Sequence, residues 1–221
     1  MNQGENIKLY WGSGSAPSWR VLICLAEKNL TKAETQLLSF EKKEHKSDAL
    51  LKLNSRGQLP TFTDEEAVIH ESIGICMYLE LTYKQQGESL LPNNSIALAT
   101  VLQRINEVDI IYIKCMDIAR YYFGRKAYYS EAIIEKKITA FRAELSRWNN
   151  YVSHYIAGTN FTMADIIFFP VLAFTIRLGL SLDNYENLQV YYDKLRQRES
   201  IINNWPPHWK TSKDKTFFKD I

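Results

Sequence analysis

Short strand-like segments alternate with helix-like segments along the first third of the chain. The segments at 7–11, 35–40, 60–64 and 67–69 have strand patterns, and the last two are joined by a two-residue turn typical of a hairpin. Apolar residues recur at helical spacing at 18–28, 45–53 and 71–84. The order strand–helix–strand, then strand–strand–helix, predicts a four-stranded mixed sheet with helices packed against it.

The pattern changes after residue 84. A polar stretch at 85–88 and the run Pro92-Asn93-Asn94 contain the turn-forming residues that are typical of a linker. Beyond this run, helical periodicity predicts helices at 96–122, 130–155, 163–178 and 188–196, and no segment there has a strand pattern of comparable strength. The sequence therefore predicts an α/β domain at 1–87, a linker at 88–94 and an all-helical domain at 95–221.

A capping signal opens the helix at 163–178. Thr162 supplies a hydroxyl at the N-cap, and Asp165 supplies a carboxylate at the third helical position. Each side chain can therefore accept a hydrogen bond from the backbone N–H of the other residue. The helix is apolar on all sides, which predicts that it is buried in the middle of its domain. Because a buried helix end needs partners for its N–H groups, we assign Asp165 to folding rather than to chemistry. Pro170 lies inside this helix and predicts a bend.

Composition and charge give no reason to expect nucleic acid or an anionic membrane as a partner. The chain has 27 basic and 25 acidic residues, a formal net charge of +2 and 46% hydrophobic residues. Its longest apolar run, 166–176, is too short to span a bilayer, and its N-terminal residues lack the apolar stretch of a signal peptide. Cys24, Cys76 and Cys115 lie far apart in helical, largely apolar stretches, without metal-ligand spacing. We therefore expect reduced core thiols, no metal site and a cytoplasmic location.

A loop rich in serine and glycine, Ser13-Gly14-Ser15-Ala16-Pro17-Ser18, precedes the first helical pattern. The N-terminus of a helix presents unpaired N–H groups and a partial positive charge, so it stabilises an anion such as a thiolate. Taken alone, such a loop is more often a plain turn with a serine cap.

The segment Gln58-Leu59-Pro60 lies at the start of a predicted strand, where α/β folds commonly place ligands. A proline that opens a strand is a candidate for a cis peptide bond. A cis bond would turn the N–H and C=O groups of Leu59 towards an extended, peptide-like ligand. An ordinary trans turn is the alternative.

Glu71 and Ser72 begin one predicted helix, and His45 begins another. A helix N-terminus with a serine hydroxyl suits a ligand carboxylate, and a glutamate suits a ligand ammonium, so the pair fits an α-amino acid group. His45 could meet a terminal carboxylate. The alternatives are a glutamate that complements the helix dipole and an inert surface histidine.

In this order and spacing, these segments resemble those of the cytosolic glutathione transferases (glutathione S-transferases), and the resemblance covers nearly the whole chain. It rests on the serine-rich loop before Trp19-Arg20-Val21, the Gln58-Leu59-Pro60 turn, the Glu71-Ser72 pair and the Thr162-x-x-Asp165 cap. Three further runs are similar to the rho class of aquatic animals: Trp11-Gly12-Ser13-Gly14-Ser15, Leu38-Ser39-Phe40-Glu41-Lys42 and Trp205-Pro206-Pro207-His208-Trp209. The resemblance implies a thioredoxin-like first domain that binds glutathione. It also implies a helical second domain that supplies most of the pocket for hydrophobic electrophiles.

The resemblance assigns six residues to the co-substrate glutathione: His45, Gln58, Leu59, Pro60, Glu71 and Ser72. The γ-glutamyl end would lie on Glu71 and Ser72, and the cysteinyl backbone would run along Leu59 before a cis Pro60. The glycyl carboxylate would fall near His45 and Gln58. No metal is implied.

The resemblance also places the glutathione sulfur at Ser15, which lies five residues before Arg20. The Ser15 hydroxyl would then donate a hydrogen bond to the thiolate and would not act as a covalent nucleophile. Ser13 and Ser18 are alternatives because the loop could be threaded differently, and Tyr10 is another because it ends the preceding strand. The loop contains no cysteine, which argues against thioltransferase or dehydroascorbate-reductase chemistry.

The implied function is conjugation of the thiolate to hydrophobic electrophiles, as in detoxification, by a homodimer. The electrophile pocket would draw on Tyr112, Met116 and Tyr121 or Tyr122, although aromatic residues at helical spacing are more often part of a core. Two alternatives stay open: a non-catalytic carrier of apolar ligands with the same fold, and a zeta-like isomerase of a cis-dienoic metabolite. Ala16-Pro17 after the serine weakens the isomerase interpretation, because zeta-like loops carry Ser-Ser-Cys.

Overall fold

The protein is described from a computed structural model, which covers residues 3–125 and 130–221. The chain divides into two compact units. The first contains the residues up to Leu90 together with Arg198–Ser212, and the second contains Leu91–Gln197 and Lys213–Ile221. Segment 198–212, which the sequence assigns to the helical domain, therefore packs with the first unit. The domain limits 1–87, 88–94 and 95–221 stay a prediction.

Within residues 3–125, four strands form one mixed sheet in the order β2-β1-β3-β4. The central strand β1 (Ile7–Trp11) pairs in parallel with β2 (Glu34–Leu37) and antiparallel with β3 (Thr61–Asp64), which forms a hairpin with β4 (Ala67–Ile69). This arrangement confirms the predicted mixed sheet and its hairpin.

The helices of the first unit are α1 (Ala16–Glu27), α2 (Asp48–Leu53) and α3 (Ser72–Thr82), followed after the second unit by the short α8 (Glu199–Ile202). Helix α1 begins two residues earlier than predicted, because Pro17 falls in the first turn, where a missing N–H costs nothing. The helix predicted at 45–53 is split. A 3-10 turn at Glu44–Lys46 precedes α2, and Ser47 between them has extended backbone angles.

Helices α1 and α3 lie side by side and run in the same direction. Polar contacts join them at steps of four residues, each between partners 52 positions apart: Arg20 with Ser72, Cys24 with Cys76, and Lys28 with Glu80. A constant offset at four-residue steps means that the facing ridges of the two helices stay in register over two turns. The two helix N-termini therefore lie at the same end of the unit.

A buried ion pair closes the other end of this helix pair. The Lys28 ammonium lies 2.9 Å from the Glu80 carboxylate, and the two side chains are 0% and 4% exposed. Lys28 also donates to the Glu88 carbonyl oxygen (3.3 Å), and the Leu90 N–H donates to Glu80 (3.0 Å). Gly87, which has a φ of +60°, packs so closely on the end of α1 that an added Cβ would lie 1.9 Å from the Glu27 carbonyl oxygen. The chain leaving α3 is thereby fixed against the end of α1.

The described part of the second unit is helical, as predicted. It is built from α4 (Ser95–Arg120), α5 (Glu131–Tyr151), α6 (Met163–Arg177) and α7 (Glu186–Leu195). Helix α6 is buried along most of its length, and Trp148 of α5 stacks on its Phe168 with ring centroids 4.1 Å apart. Among the described residues, no helix combines the length and apolarity that crossing a membrane requires.

The predicted cap of α6 is present. The Thr162 N–H donates to the Asp165 carboxylate (2.8 Å), and the Thr162 side chain accepts from the Asp165 N–H in return. A second oxygen of Asp165 accepts from the Ile156 N–H (3.0 Å), so this fully buried side chain also fixes the chain that enters the helix. Burial raises the pKa of Asp165 to about 6 from an ordinary 3.8, against the opposing effect of the hydrogen bonds from Ile156 and Thr162.

We expect Asp165→Ala to lower the free energy of unfolding by roughly 2–4 kcal/mol, because it strands the buried N–H groups of Ile156 and Thr162. The raised pKa means that the folded chain binds this proton more tightly than the unfolded chain does. The stability that Asp165 contributes should therefore be fullest below pH 3.8 and should fall as the pH rises through about 6. Urea unfolding of both proteins from pH 4 to 7 measures the difference. A difference that grew with pH would contradict the raised pKa.

Candidate active site

The ends of several strands meet at one end of the sheet. Tyr10, near the end of β1, pairs with Thr61 at the start of β3, and Phe62 pairs with Ile69 at the end of β4. Trp11 pairs with the last residue of β2 in the parallel register. The loops that follow β1, β2 and β4 and the loop that precedes β3 therefore lie together.

Two helix N-termini open from the same end of the sheet. The loop after β1 leads directly into α1, and Ile69 is followed within three residues by α3. Because the two helices are parallel and in register, the positive ends of both helix dipoles face the same region. Two aligned N-termini favour a ligand with two separate negative groups.

Ser15 is the N-cap of α1. Its Oγ accepts a hydrogen bond from the Ser18 N–H (3.3 Å), and its own N–H donates to the Gly12 carbonyl oxygen (3.2 Å). The side chain is half-buried. In the bond to Ser18 the hydroxyl is an acceptor, so its proton remains available for donation to a ligand.

The contacts of the other candidate hydroxyls differ from those of Ser15. Ser18 is fully buried, and its Oγ accepts from the Gly12 N–H (3.3 Å). The Oγ of Ser13 lies 2.6 Å from Nδ1 of His208. The Tyr10 ring packs against an apolar cluster on the same unit that contains Leu38, Leu50 and Leu59. Among these four candidates, Ser15 is the N-cap of α1, and its role as a thiolate donor stays a prediction.

The predicted cis peptide bond is present between Leu59 and Pro60. The fully buried Asn54 holds this loop: its amide nitrogen donates to the Gln58 carbonyl oxygen (3.0 Å) and to the Thr61 hydroxyl (3.1 Å). The Thr61 hydroxyl in turn donates to the same carbonyl oxygen (2.9 Å). The backbone next to Leu59 is thus fixed by hydrogen bonds from the side chains of Asn54 and Thr61.

Ser72 lies at the first residue of α3, next to a buried cation. The Arg20 guanidinium donates to the Ser72 hydroxyl oxygen (3.2 Å), and the two residues are 3% and 6% exposed. The hydroxyl proton of Ser72 therefore points away from the arginine and can be donated to an anion. Glu71 is exposed and pairs with Arg56 at 3.1 Å, a surface ion pair that a ligand ammonium could replace at little cost.

His45 lies in the 3-10 turn beside the cis-proline loop. Its ring meets Phe40 edge-on, with centroids 5.2 Å apart, and its Nδ1 is buried without a hydrogen-bond partner among the described residues. An added Cβ at Gly57 would lie 2.9 Å from the His45 carbonyl oxygen, so the turn packs directly on the segment before Gln58. The neighbouring Lys46 donates to the Arg56 carbonyl oxygen (2.8 Å). The structure thus brings all seven predicted site residues of the first unit to one end of the sheet.

Comparison with known proteins identifies both parts of the chain. The profile of the glutathione S-transferase N-terminal domain matches residues 5–80, and that of the C-terminal domain matches residues 111–199. Glutathione S-transferase A of Pleuronectes platessa is 38% identical over 98% of this chain and 99% of its own.

The chain belongs to the glutathione S-transferase family.

Solved structures of this family share the fold. The crystal structure of a glutathione S-transferase from the Antarctic clam Laternula elliptica superposes with a TM-score of 0.91, at 39% identity over 97% of this chain and 99% of that chain. A family member from Pseudomonas fluorescens pf-5, crystallised with two glutathione bound, superposes with a TM-score of 0.82 at 22% identity, over 92% of this chain and 93% of that chain. The predicted thioredoxin-like domain followed by a helical domain is confirmed.

The residues predicted for the electrophile pocket lie in the second unit. Tyr112 and Met116 are half-buried on α4, and Tyr121 and Tyr122, also half-buried, begin the π-type turn that follows it. The rings of Tyr121 and Tyr122 are 5.1 Å apart, and burial raises the pKa of Tyr122. Their role in binding stays a prediction.

Three residues that contact the predicted site or its loops have no role predicted from the sequence: Arg20, Asn54 and His208. Arg20 had a detectable signal, a charged residue between apolar neighbours within the helix Ala16–Glu27. Asn54 follows α2 and has no pattern that distinguishes it from a turn residue. His208 is separated from Ser13 by 195 positions, and no local pattern predicts that contact.

We expect Asn54→Ala to lower the free energy of unfolding by about 1–3 kcal/mol, because the Gln58 carbonyl oxygen and the Arg56 N–H each lose a buried partner. The variant should also bind glutathione more weakly, since the backbone at Leu59 is no longer held. Calorimetric titration with glutathione measures this loss, and the exposed Asn150→Ala on α5 is the control. Binding equal to that of the control would show that glutathione binding does not depend on the support from Asn54.

Proposed function

We propose that this protein is a glutathione transferase that conjugates the glutathione thiolate to hydrophobic electrophiles. The observation that carries the proposal is the alignment of two helix N-termini, Ser15 at one and Ser72 at the other, beside the cis-proline loop. Family membership supports the same activity, and the comparisons do not favour a non-catalytic carrier or a zeta-like isomerase.

The tripeptide would bind through both of its ends. Ser72 and the N–H groups at the start of α3 suit the γ-glutamyl carboxylate, and Glu71 suits its ammonium group. The cysteinyl backbone would pair with the N–H and C=O of Leu59, before Pro60. The glycyl carboxylate would lie near His45 and Gln58. Arg20 would hold the Ser72 hydroxyl in position, with its own charge buried behind it.

Ser15 would stabilise the thiolate of bound glutathione. A free thiol has a pKa of about 8.5, so only a few per cent of it is ionised near pH 7. A hydroxyl donor and the N-terminus of α1 favour the anion, and each unit by which they lower the thiol pKa corresponds to about 1.4 kcal/mol. The thiolate then attacks an electrophilic carbon: a carbon–sulfur bond forms, and the leaving group departs with its electron pair.

The finer assignments belong to the same proposal. We assign the chain to the serine-type, rho-like transferases, which the similarity to proteins of Pleuronectes platessa and Laternula elliptica supports. A cytoplasmic location fits the cysteines Cys24, Cys76 and Cys115, which are buried free thiols. No metal takes part in the proposed reaction.

We expect Ser15→Ala to lower kcat for conjugation of a chlorinated nitrobenzene by roughly 10- to 100-fold, the worth of one hydrogen bond to a charged group. The KM for glutathione should change little, because the tripeptide is held elsewhere. Ser15→Thr, which keeps a hydroxyl, is the matched control and should keep most of the activity. Unchanged turnover in the alanine variant would move the thiolate donor to Ser13, Ser18 or Tyr10.

We also expect the protein to be a homodimer, since Ile110 and Ile113 expose 47% and 58% of their surface on one face of α4. Sedimentation of the wild type should give twice the mass of one chain. Ile113→Glu should weaken the dimer, whereas Ile133→Glu, at a similarly exposed site on α5, should not. A monomeric wild type would contradict the proposed homodimer.

A further inference from the structure

The segment Trp205–Trp209 returns to the first unit and packs on α1. Trp205 and Trp209 meet the buried Trp19 edge-on, with ring centroids 4.9 and 5.6 Å away. The chain that leads to this segment is fixed at the other end of the same helix. There Arg198 donates two hydrogen bonds, of 2.5 and 2.7 Å, to the Glu27 carboxylate. Both ends of α1 therefore contact the C-terminal part of the first unit.

The segment Trp205–Trp209 also contacts the loop that carries Ser15. Nδ1 of His208 lies 2.6 Å from the Ser13 hydroxyl. At Gly14, which has a φ of +78°, an added Cβ would lie 2.5 Å from the His208 ring and 3.1 Å from the Trp209 indole nitrogen. A side chain at position 14 would therefore have to displace the His208 ring and adopt a strained backbone conformation.

Ser15, the proposed thiolate donor, comes directly after the two contacted residues in the sequence. Ser13 and Ser15 are separated only by Gly14, and the Ser15 N–H closes the turn by donating to the Gly12 carbonyl oxygen (3.2 Å). Gly14 by itself leaves this loop many conformations, because glycine has the broadest conformational freedom of any residue. A contact that holds Ser13 therefore limits the positions that the Ser15 hydroxyl can take.

We propose that His208 is a positioning residue for thiolate formation, which holds the Ser13-Gly14-Ser15 loop so that the Ser15 hydroxyl is aimed at the glutathione sulfur. This inference rests on the proposed function and extends it to a residue near the C-terminus of the chain. His208 acts through Ser13 and need not touch the substrate. Preorganisation of a donor in this way lowers the reorganisation needed when the thiolate forms.

The test compares His208→Ala, Ser13→Ala and the double variant in conjugation kinetics. The apparent pKa of bound glutathione is followed in parallel by the ultraviolet absorbance of its thiolate. We expect each single variant to lower kcat by about three- to tenfold, as for the loss of one net hydrogen bond, and to raise the pKa of the bound thiol. The KM for glutathione should stay within about twofold of the wild type. The double variant should be no worse than either single one, since both changes break the same contact.

Two further variants separate positioning from a general structural effect. Asparagine can place an amide atom close to the position of Nδ1, so His208→Asn should recover most of the kcat and the low thiol pKa. His154→Ala removes another exposed histidine, on the second unit, and should match the wild type.

Several results would overturn the inference while leaving the proposed function intact. One is a His208→Ala variant with a normal kcat and thiol pKa, whether or not its melting temperature falls. Another is a Ser13→Ala variant whose kcat is as low as that of Ser15→Ala, while His208→Ala keeps a normal kcat. That result would make Ser13 the thiolate donor. Additive losses in the double variant would show that His208 does not act through Ser13. Failure of the proposed function itself would look different, because the wild type would then neither bind nor conjugate glutathione.

Discussion

Removing the Lys28 ammonium and the Glu80 carboxylate from water costs several kcal/mol for each ion, and only their mutual contact and additional hydrogen bonds offset that cost. The pair is satisfied at a single relative position of α1 and α3, in which the Glu88 carbonyl oxygen and the Leu90 N–H are also within reach. A slip of one helical turn would leave two buried charges unpaired. The ion pair therefore sets the register of the two helices, and the contacts of Cys24 and Arg20, one and two turns away, follow from it.

The register set at one end of the helix pair determines the geometry at the other end. Because α1 and α3 run in the same direction, their N-termini open side by side, and the sheet brings the cis-proline loop to the same end. Ser15 and Ser72 are thus the first hydroxyls on two parallel dipoles, and each accepts a hydrogen bond from the protein and keeps its own proton for a ligand. Two such positions suit the proposed ligand, a tripeptide in which the γ-glutamyl carboxylate and the cysteinyl thiolate are separate negative groups.

Local patterns predicted those parts of the fold whose cause is local. The strands at 7–11, 61–64 and 67–69, the cap of Thr162 and Asp165, and the cis bond before Pro60 each follow from residues within a few positions of one another. Contacts between distant parts of the sequence were not predicted. Residues 198–212 group with the first unit, where Arg198 donates to Glu27, more than 170 positions earlier. Arg20 is recognisable as a charge among apolar residues, but its partner Ser72 lies 52 positions away. The partners of Asn54 are local, and its sequence context is that of an ordinary turn residue.

The same distinction applies to the loop that carries Ser15, which is contacted by a segment distant in sequence. A loop rich in glycine and serine can approach a ligand closely, but its many accessible conformations would cost entropy each time that the donor is aligned. Contacts with α3 fix one side of α1, and the tryptophans of the C-terminal return pack on it at Trp19. What remains to be fixed is the short stretch between β1 and α1, and His208 contacts it at Ser13 and Gly14. When a donor is already held before the substrate binds, less of its hydrogen-bond energy offsets the entropy of ordering the donor. More of that energy then stabilises the thiolate.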